Sequence, residues 1–122
     1  MNTETSYEEQ TLISSYLQLM LAIRIFHRDM QVINDHPMLR TPILYIEVLK
    51  SGMERVSLLL AEVQKEFQRK DISISRIKSD KNGIWADAII RGQNVNIHLP
   101  ESHYKNELYK RMRIYLGGMS EL

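Results

Sequence analysis

Apolar side chains recur at helical spacing along residues 6 to 34, and they do so on two sides of the helix. At about 100° per residue, Leu12, Tyr16, Leu19, Met20, Ile23, Phe26, Met30 and Ile33 share one broad face, which predicts the intramolecular core. Leu17, Leu21, Ile25 and Val32 form a second stripe nearly opposite, leaving narrow polar strips at Arg24 with Arg28 and at Gln18 with Asp29. A helix with so little wet circumference needs two neighbours. Ser6 followed three positions later by Glu9 has the spacing of a capping box, so the helix is expected to begin at Ser6. Asp35, His36 and Pro37 should end it near Asn34.

A second helix is announced by Thr41 as N-cap and Pro42 at its first position, and runs to about Lys70. Here one apolar stripe suffices: Tyr45, Leu49, Val56, Leu59, Leu60, Val63 and Phe67, against a wet face of Glu47, Lys50, Glu54, Glu62, Lys65 and Arg69. Gly52 interrupts the apolar side, where glycine costs about 1 kcal/mol relative to alanine, so a close helix approach is expected there. A connector of a few residues makes the two helices an antiparallel hairpin.

After Asp71 the period changes from 3.6 to 2. "ISISRIKS" alternates and then slips phase at Ile77, as a strand with a bulge would. "DKNG" places an Asn-Gly pair where a tight hairpin turn accepts positive φ. "IWADAIIR" puts Ile84, Ala86, Ala88 and Ile90 on one face and Trp85, Asp87, Ile89 and Arg91 on the other. After "RGQN" turns the chain, Val95, Ile97 and Leu99 alternate with Asn96 and His98. A last helix spans about Glu101 to Leu116, packing through Tyr104, Leu108, Met112 and Tyr115, with Gly117 as its left-handed terminator. The expected fold is therefore α+β in the order α-α-β-β-β-α: a long helical hairpin on a three-stranded antiparallel meander, followed by a C-terminal helix. It should form a single domain over residues 1–122.

Composition narrows the function without naming it. At 122 residues and 43% hydrophobic, the chain can close a core unaided. With no cysteine, disulfides, thiolate catalysis and cysteine-ligated metals are excluded. The acidic, polar start and the absence of a long apolar run predict a cytoplasmic chain with no membrane partner. A formal charge of +1 provides no global attraction to nucleic acid.

The candidate chemistry is sparse. "FHRDMQVINDHP" gathers His27, Asp29, Asp35 and His36, but His27 and Asp29 point about 160° apart on a helix and cannot share a ligand. The last two mark the helix end. Asp29, bounded by apolar neighbours, is expected to have an arginine partner. His98 and His103 lack a zinc-type spacing, and Asp87 has no second carboxylate or nucleophile fixed beside it by sequence. No glycine-rich phosphate loop is present, no cofactor is implied, and no catalytic or metal residue is assigned.

Two surfaces remain. The second stripe of the first helix, Leu17, Leu21, Ile25 and Val32, extends about 22 Å and is expected to meet the same stripe of a second chain about a two-fold axis. Helix 3 and the sheet are the competing intramolecular covers, with helix 3 the principal one because a short C-terminal packing helix could lie across the stripe. In "YKNELYKRMR", Lys105, Lys110, Arg111 and Arg113 alternate with Tyr104 and Tyr109 and could serve phosphates and unpaired bases. The charge run reads first as a solvated helix face. The function expected is that of a small intracellular, non-catalytic interaction protein, a regulatory or accessory factor with a protein partner and a homodimeric state. A nucleic-acid-binding regulator using the four basic residues is the runner-up, and an enzyme built on Asp87 and His98 comes third.

"FHRDMQVI" closing a long first helix, a proline-started second helix, a short sheet containing "IIRG" and a last helix ending "IYL" together resemble the small, uncharacterised YhjD-type proteins of Bacillus-like Firmicutes and their phages. The resemblance covers most of the chain and implies a bacterial or phage intracellular protein. It carries over no activity and no functional residue.

Overall fold

The computed structural model describes residues 6–35 and 39–117. Its elements run α1 (Tyr7–Asp35), α2 (Pro42–Lys70), β1 (Ile72–Asp80), β2 (Gly83–Ile90), β3 (Gln93–Pro100) and α3 (Glu101–Tyr115), the order and class expected. The sheet is an antiparallel meander in the order β1-β2-β3.

The helix ends show which local signals hold. The Ser6 hydroxyl accepts the Glu9 amide and the Glu9 carboxylate accepts the Ser6 amide, each at 3.1 Å, so the capping box is complete. Helix α1 continues to Asp35; His36 and Pro37 lie outside the described residues. At the start of α2, Pro42 occupies the first turn as expected, but the Thr41 side chain makes no capping bond. Only its carbonyl is used, by the Leu44 amide at 3.2 Å. Helix α2 ends in a left-handed Asp71 (φ 55°) whose amide turns back to Gln68 and Phe67 carbonyls.

Strand β1 carries the anticipated bulge, since the register slips between Ile74 and Arg76 and leaves Ser75 as the extra residue. The β1–β2 turn differs from the Asn-Gly expectation. Lys81 and Asn82 make the turn, with the Asn82 amide held by the Asp80 carboxylate at 2.7 Å, while Gly83 already belongs to β2. The glycine does take the positive φ expected of it, 149°, and it is required for a second reason as well: a Cβ there would collide with the Leu99 carbonyl oxygen across the sheet. At the β2–β3 turn, Arg91 (φ 49°) and Gly92 (φ 84°) both take positive φ, the signature of a two-residue type I′ hairpin.

One cluster of buried apolar residues joins the helices to the inner face of the sheet. Ile72, Ile84, Ala86, Ala88 and Ile90 supply that face, and Val95, Ile97 and Leu99 of β3 are only partly buried. Helix α1 lies at the centre, with α2 along one side, the sheet on another and α3 on a third. Its Ser15 accepts a bond from Arg111 of α3 at 3.3 Å, and its Arg24 reaches Ser79 of β1 at 3.4 Å. This arrangement redistributes the expected core. Leu19 and Phe26 are buried, whereas Leu12, Tyr16, Met20, Ile23, Met30 and Ile33 are partly covered, and Ile13, Leu17 and Ala22 join the core from outside the first stripe. The close approach expected at Gly52 is present: a Cβ would lie 2.9 Å from Leu116 beyond α3 and 3.3 Å from Phe26 of α1.

Candidate interaction surfaces

The second stripe of α1 is largely interior. Leu17 is 1% exposed, and Leu21 and Ile25 are partly buried against the core; Leu17 and Leu21 meet Ile77, Ser79 and Ile84 of the sheet around a small cavity. Only Val32, at 49%, stands substantially in solvent. Leu17 is therefore not an interface residue. The sheet supplies the second neighbour that sequence spacing demanded, and a second copy is not needed to cover the stripe.

The basic run of α3 is likewise partly spent inside the chain. Arg111 donates to Glu107 at 2.8 Å as well as to Ser15, and this contact holds the Glu107 carboxyl below its ordinary range. Lys105 lies 3.7 Å from Glu101 and 6.0 Å from the centre of the Tyr109 ring. Tyr104 is buried, which pushes its hydroxyl pKa up, so its ring is not available for stacking. Lys110, whose charge also favours the ionised Glu107 carboxylate, and Arg113 remain exposed, too few for a phosphate-tracking groove.

The titratable residues do not converge on a catalytic or metal site. His27 and Asp35 line a shallow groove of about 530 Å³ with Gln31, Asn34, Ile46 and Lys50, between the distal parts of α1 and α2. Asp29 is exposed, and among the described residues it forms no ion pair with an arginine. On the outer face of the sheet, His98 stacks on Trp85 with ring centroids 4.4 Å apart and planes 12° from parallel. Asp87 pairs across the strands with Arg76 on one side and Asn96 on the other. His98 is thus occupied by an aromatic partner, and His103 is on α3. No group of three or more His, Asp or Glu residues among the described ones could hold a metal ion. Among the same residues, no helix is long and apolar enough to cross a membrane.

The surface that sequence reading missed is on α2. Ile43, Leu44, Tyr45 and Val48 lie within two turns and are between 47% and 64% exposed, with Leu39 just before the helix also exposed. Tyr45 and Leu59, assigned from spacing to the buried stripe, are both exposed. The reason is the length of the helix: α3 reaches α2 at Gly52 and Arg55, where Arg55 donates to the Tyr115 carbonyl, and the first turns of α2 extend past that cover. A signal was available, since Leu44 and Val48 are spaced i, i+4 and belong to neither the assigned core stripe nor the charged face.

A family model described as YhjD protein matches residues 4–120, so the chain belongs to that family. No curated protein and no solved structure matches it.

Proposed function

We propose that this member of the YhjD family is a non-catalytic interaction factor of the bacterial or phage-infected cytoplasm, acting through protein-protein contacts and itself homodimeric. The observation that carries the reading is the apolar surface at the start of α2. Four large side chains, Ile43, Leu44, Tyr45 and Val48, are held in solvent on a helix whose buried face is already satisfied. A cluster of exposed aromatic and aliphatic groups on a rigid helix is what a partner helix or groove buries, with Tyr45 the side chain best suited to anchor it.

The test is site-specific photo-crosslinking in the native host with the reactive residue at Val48 or, as control, at Lys65 on the charged face. A discrete protein adduct from Val48, absent from Lys65 and abolished by Leu44→Glu, supports the reading. The runner-up is checked in the same material: binding to a mixed DNA and RNA pool that weakens steeply with salt would overturn the protein reading in favour of Lys110 and Arg113. Crosslinks from neither position would remove the α2 surface.

A further inference from the structure

Both outer strands of the sheet have an edge, and the two edges are built differently. Strand β1 is interrupted by the bulge at Ser75 and carries Arg76, Lys78 and Asp80, the devices by which a sheet edge resists pairing. Strand β3 has none of them. From Gln93 to Pro100 it pairs with β2 in unbroken register, contains no charged residue, and has its one proline at the very end.

The inner face of β3 is also unfinished. Val95, Ile97 and Leu99 are only partly buried, where the equivalent positions of β2 are fully covered. Beside them, a groove of about 310 Å³ runs between α1 and β3, with Ile13, Leu17, Ile97 and Leu99 among its lining. A layer left open along one edge in this way is closed by another strand whose inward side chains are apolar and whose outward ones are polar and uncharged.

We infer that this strand is β3 of a second copy, paired antiparallel about a two-fold axis at Ile97, so that two three-stranded sheets become one of six. That register places Ile97 opposite Ile97 and Val95 opposite Leu99 on the inner face, and Asn96 opposite His98 on the outer face. No like charges meet, because β3 has none. Each strand is already ordered by its pairing with β2, so association costs little backbone entropy compared with capture of a loose peptide. Centred on Ile97, the pairing runs from Asn94 to Pro100, about 24 Å of strand edge. This assignment rests on the homodimeric part of the reading above and gives it a surface other than the α1 stripe.

Light scattering at high micromolar concentration tests it. The wild-type chain is expected to have twice the 14.4 kDa chain mass. Asn94→Lys with Asn96→Lys, both on the exposed outer face, should halve that mass with an unchanged circular dichroism spectrum, while Ser73→Lys on β1 leaves it dimeric. The chain has no cysteine, so register can be read independently: mixing Asn96→Cys with His98→Cys chains should give the mixed disulfide in preference to either homodisulfide. A dimeric wild type unaffected by the β3 lysines, with no preference for the mixed disulfide, overturns the β3 edge and leaves self-association standing. A monomeric wild type overturns both.

Discussion

Glu9 and Arg91, 82 positions apart, meet as a two-pronged ion pair. One Arg91 nitrogen lies 2.6 Å from a Glu9 oxygen and the other donates to the second oxygen at 3.1 Å. Arg91 also donates to the Lys70 carbonyl at 3.1 Å, and its own amide donates to Asp71 at 2.8 Å. The carboxylate that caps α1 is thus the same one that ties α1 to the end of α2 and to the β2–β3 turn.

This pair makes the fold sensitive to acid. The Arg91 guanidinium, reinforced by the Ser6 amide, holds the Glu9 carboxyl at about 2, well below its ordinary 4.5. Its stabilising contribution is complete above pH 4.5 and is lost as pH falls from there toward 2. Glu9→Gln should lower stability by roughly 2 kcal/mol near neutrality, the scale of hydrogen bonds to a charged group. In urea melts at several pH values, the difference between wild type and variant should shrink below pH 4.5; a difference that stays constant to pH 2 would refute the pairing.

Substituting Gly52 by alanine sets helix propensity against packing. Alanine gains about 1 kcal/mol intrinsically, but its methyl must displace Leu116 at 2.9 Å and press on the Phe26 ring at 3.3 Å. The Leu116 methyl can move and the buried ring cannot, so a net loss of about 1–2 kcal/mol is expected, as in other overpacked cores. Thermal unfolding of Gly52→Ala, alone and with Leu116→Ala, measures it: the second change should recover part of the loss.

Glutamate scanning along α1 separates core from surface. Leu17→Glu buries a charge between α1 and the sheet and should leave no cooperative unfolding transition. Val32→Glu, half in solvent, should change stability by less than about 0.5 kcal/mol. Equal effects at both positions in denaturant titrations would contradict the placement of the stripe.

Gln18 offers a gain. It is buried in the middle of α1, where its amide nitrogen donates to Ser14 at 3.2 Å and the side chain also hydrogen-bonds the Glu107 carboxylate of α3, while its carbonyl oxygen has no partner among the described residues. Gln18→Met keeps the length of the side chain and removes the unsatisfied oxygen; the partners it gives up, the Ser14 hydroxyl and the exposed Glu107 carboxylate, can turn to water instead, so a stabilisation of up to roughly 1 kcal/mol is expected. A lower urea midpoint in the variant would show that the amide is better satisfied than its geometry indicates.

Local chemistry was readable from the chain, and long-range assignment was not. The capping box of Ser6 with Glu9, the bulge ahead of Ile77 and the change of period after Asp71 are all set by residues within a few positions of one another. Arg91, by contrast, was assigned by alternation to the outer face of β2. Its positive φ in the turn and its bond to Glu9 depend on where the N-terminus of α1 lands. The two stripes of α1 were seen correctly as two needs, but periodicity cannot say whether a sheet or a second chain meets the second one. For α2 the error ran the other way: one stripe looked sufficient because spacing carries no information about where a neighbouring helix stops.

The central position of α1 also sets the order in which the chain can be completed during synthesis. The helix that needs the most cover leaves the ribosome ahead of the sheet, and α3, which contributes Tyr104, Leu108 and Tyr115 to its surroundings, follows after both. Until those final turns emerge, α1 and α2 can pair but the side of α1 that α3 covers stays open, along with Gly52 and the Phe26 edge beside it. A nascent chain halted in β3 would therefore present an apolar flank of α1 in addition to the sheet edge, an aggregation hazard that the docking of α3 removes.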